Sequence, residues 1–215
     1  TTAGHGSDLF MRYENALRRL ETRISSIGGV DGGIDAVRRS CYRNRQPHEL
    51  PDFSLPLTVV ESGYRCVFEP RAILREDALA DDASEFRMRV RVSTRALWTL
   101  VDHRNLLNIF RFGAYSWQLM SHKWLRYLSF LPLGLALILA FASAAKSTMA
   151  MLVAGAGTLA LVLAMVGWLV PSVAANSRLI RALTYFTLLN LSSMLALINV
   201  ILGRRITVWQ PRVGA

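Results

Sequence analysis

The sequence predicts an α/β portion that faces water, followed by a stem of helices that cross a membrane. Charge draws the division: all 15 Asp and Glu residues lie at or before Asp102, and of the 25 Lys and Arg only Lys146, Arg178, Arg181, Arg204, Arg205 and Arg212 follow Arg126. A first part of mixed sign and mildly basic balance suits a water-facing domain. The uncharged runs 127–145, 147–177 and 182–203 each reach the roughly 20 apolar residues needed to cross about 30 Å of hydrocarbon. Spans are therefore expected at about 127–145, 148–171 and 182–203.

The apolar runs lie late in the chain and its opening, Thr-Thr-Ala-Gly-His-Gly-Ser over 1–7, is polar, which excludes a signal peptide pattern. An opening without Met reads as processing or as a piece of something longer. About 125 residues before the spans suffice for one small domain. Cys41 and Cys66 lack the close pairing of a zinc site, and His5, His48, His103 and His122 form no His-x-x-x-His pair. No metal site is expected from this chain.

A first helix is expected from Ser7 to about Ser26. Ser7 can cap it, and Leu9, Tyr13, Ala16, Leu17, Leu20 and Ile24 recur at helical spacing. Arg12, Arg18, Arg19 and Arg23, interleaved with Glu14 and Glu21, form the other, solvated face. Aromatic interleaving for base stacking is absent, so nucleic acid is not an expected partner.

Gly-Gly-Val-Asp-Gly-Gly over 28–33 breaks regular structure and lets backbone approach a ligand closely. It lacks the Gly-Lys-Ser/Thr ending of a P-loop. Asp31 suits a sugar hydroxyl and equally an ordinary turn. Residues 34–38 alternate like a short strand or open a helical turn.

Residues 50–62 read as a helix with Pro51 and Asp52 at its start, where the dipole stabilises an anion; for a lone Asp there, capping is the default reading. A strand of about five residues follows Gly63 and ends at Pro70, with Glu69, Glu76 and Asp77 at its exit. From Ser84 the pattern is helical again, with Phe86, Val90, Leu97, Trp98 and Val101 on one side. Arg87, Arg91 and Arg95, with Arg89 nearby, share the other. A row of like charges calls for anions: lipid headgroups, acids such as Asp81 and Asp82, or a diphosphate. Residues 106–120 form a second amphipathic stretch through Leu107, Phe110, Trp117 and Met120. It closes on His122, Lys123, Trp124, Arg126 and Tyr127, a pattern of an interfacial belt.

This ordered set resembles the C-terminal part of a membrane-bound family 2 glycosyltransferase, of the group that includes cellulose and hyaluronan synthases. The residues that carry the likeness are Gly-Val-Asp-Gly-Gly over 29–33 with its continuation to Arg39, Pro-Asp-Phe-Ser-Leu-Pro over 51–56, Gly-Tyr-Arg-Cys-Val-Phe-Glu-Pro over 63–70, Glu-Phe-Arg-Met-Arg-Val-Arg over 85–91, and the closing spans. The resemblance implies the acceptor-side half of a GT-A-type α/β domain over 1–83, interfacial amphipathic helices over 84–126, three transmembrane helices within 127–203, and a tail over 204–215.

It further implies Asp52 as general base, the final acid of a Thr-Glu-Asp-like or Asp-Asp-like motif whose preceding positions here are Leu50 and Pro51. Gly29, Asp31, Gly32 and Gly33 would form an acceptor-side loop. Arg89, Arg91, Arg95 and Trp98 would steady the departing diphosphate, on a chain without the Gln-x-x-Arg-Trp of processive members. The implied partners are a nucleotide sugar, a glycan or lipid acceptor and membrane lipid. A divalent metal, Mg or Mn, would be held by an N-terminal half carrying Asp-x-Asp, a motif this sequence lacks. The implied location is the inner (plasma) membrane, multi-pass, with the water-facing part cytoplasmic.

The chemistry fits these residue types. An acceptor hydroxyl must lose a proton as it attacks the anomeric carbon, which calls for a carboxylate. The leaving diphosphate gains charge in the transition state, which calls for guanidinium groups or a metal. One displacement inverts the centre and needs no second carboxylate as nucleophile. The alternative is a non-enzymatic scaffold whose arginine helix binds anionic lipid or a partner. A transporter fragment is disfavoured because the spans hold no acid for coupling. Three spans would place Arg204, Arg205 and Arg212 opposite the cytoplasm, against the positive-inside tendency, unless one segment is re-entrant.

Overall fold

The computed structural model describes residues 2–30, 32–73 and 82–207. Every regular element among them is helical. The chain forms two compact units, Thr1–Arg126 with Ala196–Ala215, and Tyr127–Leu195.

In the first unit, α1 (Thr2–Ile24) begins before the expected Ser7. It also turns the unexpected face inward: Glu14, Arg18 and Glu21 are buried, whereas Tyr13, Leu20 and Ile24 are 60%, 53% and 66% exposed. The cause is a group of cations. His122 Nδ1 lies 2.6 Å from Glu21 Oε1, and Lys123 Nζ and Arg126 Nη1 lie 3.4 and 3.3 Å from Glu14 oxygens. Glu14 and Glu21 are seven apart and so share one helix face, which meets three complementary side chains. Periodicity reads hydrophobicity and is blind to such a pairing.

The strand expected after Gly63 is an extended segment without a ladder. Its contacts run along the end of α1: Ile27 N–H donates to the Cys66 carbonyl at 2.9 Å, Phe68 N–H to Thr22 Oγ1 at 2.9 Å, and Arg65 Nε to the Ser25 carbonyl at 3.0 Å. A strand needs a neighbour to continue its hydrogen bonds, and no second extended segment among the described residues pairs with it. Residues 34–38 are likewise irregular, leading to a 3-10 turn at Arg39–Cys41. The α/β character expected of this part is therefore replaced, among the described residues, by helix and irregular chain.

α2 (Pro51–Glu61) lies where the sequence placed a helix, with Pro51 at its first position. That position tolerates proline because the missing N–H would have no intrahelical partner. Residues 53–60 are all buried, so α2 is a central helix rather than an amphipathic one. α3 (Asp82–Asp102) is already under way at Ser84, so the cap expected there falls inside the helix. Leu97, Leu100, Thr94 and Thr99 are buried on it. Thr99 Oγ1 accepts from Leu50 N–H at 2.9 Å, fixing the start of α2 against α3.

Residues 104–126 do not form the single amphipathic stretch expected over 106–120. A 3-10 turn (Arg104–Leu107), α4 (Ile109–Phe112) and α5 (Ala114–Gln118) follow one another, and the chain continues through a π-helical stretch (Leu119–Trp124). Gly113 at φ 55 makes the break between α4 and α5, a conformation glycine adopts without strain. The break changes the register. Leu106, Tyr115 and Leu119 are buried, while Phe110, Trp117 and Met120 are exposed.

In the second unit, α7 (Phe130–Ser143) follows the short α6 (Leu125–Leu128), and α8 (Thr148–Leu169) folds back on it. Gly157 permits this approach: a Cβ there would lie 2.7 Å from Leu137 Cδ1. α9 (Pro171–Asn176) leads to α10 (Arg178–Ile201), whose last residues from Ala196 belong to the first unit. Thr184 Oγ1 donates to the Ala164 carbonyl at 3.2 Å, and Ser129 Oγ to Asn190 Oδ1 at 2.9 Å. α8 and α10 are each long and apolar enough to cross a membrane. The bent pair Ala114–Leu128 and Phe130–Ser143, at 57°, makes a third candidate if counted as one span.

Candidate functional site

The first unit brings the glycine turn onto the start of α2, and proline chemistry explains how. Pro56 lies inside α2 and has no N–H to give to the carbonyl four residues back, which is that of Asp52. A buried carbonyl so released needs another donor. Val30 N–H supplies it, at 2.9 Å from the Asp52 carbonyl. Pro56 thus opens the acceptor that fastens the turn.

Two residues on, Gly32 has φ 79, and a Cβ placed there would fall within the Asp52 carboxylate group. Only glycine fits: the left-handed backbone strains any other residue, and the side chain of Asp52 occupies the space a methyl would need. Gly29 is close-packed for a second reason, since a Cβ on it would meet Lys123 Nζ at 3.5 Å and the Phe53 ring at 3.7 Å. Gly32 and Gly33 are exposed beside the carboxylate. Asp31 lies outside the described residues, as do Glu76, Asp77, Asp81 and Arg212.

Of the four expected diphosphate contacts, Arg95 is the one drawn deepest. Its guanidinium is buried and Nη2 donates to the carbonyls of Glu49 and Pro47, the latter at 3.3 Å. Burial pushes the guanidinium below its ordinary range and the neighbouring Arg91 adds to this, while the Asp52 carboxylate opposes both. Arg95 therefore shares one field with Arg91 and Asp52. Arg89 and Arg91 are half-buried, and Arg87 is exposed. Trp98 is engaged elsewhere: its Nε1–H donates to the Arg204 carbonyl at 2.9 Å, Arg205 lies 4.6 Å over its ring, and His48 meets it edge-on at 6.1 Å.

Beneath the turn lies the ion cluster, in which His122, Lys123 and Arg126, expected in an interfacial belt, meet Glu14 and Glu21, expected on a solvated face. Lys123 Nζ lies 5.8 Å above the Phe53 ring and joins Glu14 of α1 to the residue next to Asp52. Burial raises the Glu14 carboxyl, but a hydrogen bond from His122 and the charges of Lys123 and Arg126 hold it far below the usual carboxylate range. The spacing of Glu14 and Glu21 against His122, Lys123 and Arg126 is the signal that could have found it.

Two further pairs brace the ends of α2 and α3: His103 Nδ1 with Glu61 Oε1 at 2.9 Å, and His48 Nε2 with Asp102 Oδ2 at 2.7 Å. Burial raises Glu61 and the His103 contact outweighs it, leaving the carboxyl lowered. Burial pushes the Cys66 thiol up to about 11, with Asp35 contributing, which makes it a poor nucleophile. Among the described residues no three His, Cys, Asp or Glu side chains converge to hold a metal. The divalent ion implied by the resemblance has no ligand set among them.

Chemically, the arrangement offers a carboxylate at a helix start, an open backbone turn beside it, and guanidinium groups in its field. Models of known protein families, curated protein sequences and solved structures give no match to this chain.

Proposed function

We propose that this chain supplies the acceptor side of an inverting glycosyl transfer from a nucleotide sugar to a glycan or lipid at a membrane surface. Asp52 acts as general base, taking the proton of the attacking hydroxyl. The turn at Gly29, Gly32 and Gly33 presents backbone to the acceptor. Arg91 and Arg95, with Arg89, balance charge on the leaving diphosphate. The donor and any divalent metal are held by residues other than those described here.

The observation that supports this reading most is the fit of Gly32 against the Asp52 carboxylate. A helix-capping acid needs no glycine-only turn seated on its side chain. The scaffold reading draws on a different fact, the outward Phe110 and Trp117, which suit lipid or a partner. Asp52→Asn in the membrane-bound enzyme separates the two. Turnover should drop at least about 100-fold, the scale of a lost general base, while binding of the nucleotide sugar persists. Unchanged turnover would leave the scaffold.

A further inference from the structure

A groove of about 590 Å³ runs over the first unit between α1 and the chain that leads from α5 into the π-helical stretch. Its size falls within the range of small-molecule sites, about 300–1,000 Å³. The ion pairs explain why it is apolar. α1 turns Glu14 and Glu21 inward to meet His122, Lys123 and Arg126, and so leaves Tyr13, Leu20 and Ile24 on the surface beside the exposed Trp117. None of the residues proposed for glycosyl transfer lines this groove.

Glu21 and Gln118 line the same groove, and each carries an acceptor without a donor. Glu21 is 8% exposed; its Oε1 meets His122 Nδ1 at 2.6 Å, while its Oε2 is buried and unpartnered. Gln118 Nε2 donates to the Glu21 carbonyl at 3.4 Å, which sets the orientation of the amide and leaves Oε1 buried and unpartnered as well. Buried acceptors in this condition are uncommon and unfavourable. A ligand that reaches them must bring hydrogen, and two acceptors call for two donors. An ammonium is not called for, because Lys123 and Arg126 already balance Glu14 and Glu21 and Arg18 shares their helix face. A carboxylate or phosphate would set oxygen against oxygen. Neutral hydroxyls fit both demands.

We propose that this groove binds a neutral single-chain lipid with a two-hydroxyl head, of the monoacylglycerol class. The two hydroxyls donate to Glu21 Oε2 and Gln118 Oε1, and the chain lies along Leu20, Ile24 and Trp117. Burial of these apolar side chains supplies affinity, and the two acceptors choose the head. The site is separate from Asp52, so its failure leaves the proposed transfer untouched.

The test is photo-crosslinking of the full chain in nanodiscs of phosphatidylcholine, a lipid without a hydrogen-bond donor, using a monoacylglycerol that carries a diazirine in its chain. Adducts mapped by mass spectrometry are expected within residues 13–24 and 117–121. Unlabelled monodecanoylglycerol should suppress them, and its dimethyl ether should compete at least about tenfold more weakly, the scale of two lost hydrogen bonds. Leu20→Glu, at an exposed position, should remove these adducts at an unchanged melting temperature. Adducts confined to other residues, or none, overturn the proposal. Equal competition by the dimethyl ether overturns it by showing apolar adsorption alone, and equal competition by decylamine or decanoate does so by showing an ionic site. Adducts that persist in folded Leu20→Glu overturn it too; should that variant not fold, the competition series on the unsubstituted chain decides.

Discussion

At Gly32 the backbone and the neighbouring carboxylate make the same demand. Alanine there adds left-handed strain, about 1–2 kcal/mol, and forces Asp52 from its place. Gly32→Ala should lower thermal stability measurably and, under the proposed glycosyl transfer, depress turnover more than donor binding; a variant with unchanged melting would show that the turn does not seat on Asp52. Arg95 is legible in the sequence as one of an arginine row, yet its partners are the carbonyls of Glu49 and Pro47. Arg95→Lys replaces a planar fork with a single ammonium. We expect a loss of about 1.5–3 kcal/mol, on the scale of hydrogen bonds to a charged group, read by chemical denaturation. What pattern could not supply is depth: Arg87 and Arg95 share a helical row, but one is exposed and the other buried.

Among the elements, α2 was legible throughout because Pro51 marks its start and its apolar run is unbroken. The consequence of Pro56 was not, since a missing N–H acts through whichever chain segment comes to the freed carbonyl. Pro56→Ala restores that donor. The Asp52 carbonyl then has a partner within its own helix, and amide hydrogen exchange at Val30 should accelerate; unchanged protection would mean that the turn is held by other contacts.

α1 teaches the complementary lesson. Its helical period is plain in the sequence, but the inward face was chosen by His122, Lys123 and Arg126, about a hundred residues away in the chain. Glu14 is depressed in the folded state, so its contribution to stability is present above the unfolded carboxyl value, near 4.3, and is lost as pH falls below that toward the folded value. Melting temperature should decline with acidification below about pH 4.3, and Glu14→Gln should lower stability at neutral pH while flattening that decline. An equally steep acid profile in the variant would assign the loss to other groups, Glu61 first among them.

For the whole molecule, the tail contact at Trp98 links the last described residues to α3. Arg205→Ala removes a cation over the half-buried Trp98 indole, an interaction of about 0.5–1 kcal/mol. Trypsin should then cut after Arg204 several-fold faster in membranes opened to both sides. Equal rates would show that the carbonyl contact of Arg204 holds the tail alone.

The sequence by itself determined the division into a charged and an apolar part, the helix at Asp52, and three apolar segments able to reach a membrane. These are properties of composition and local spacing. The tertiary structure decided which face of α1 is buried, that the segment after Gly63 remains a lone extended strap, that Gly32 closes on Asp52, and that the tail returns to α3. Each of these depends on groups distant in sequence meeting in space, and hydrogen bonds or ion pairs formed across such distances leave no period to read.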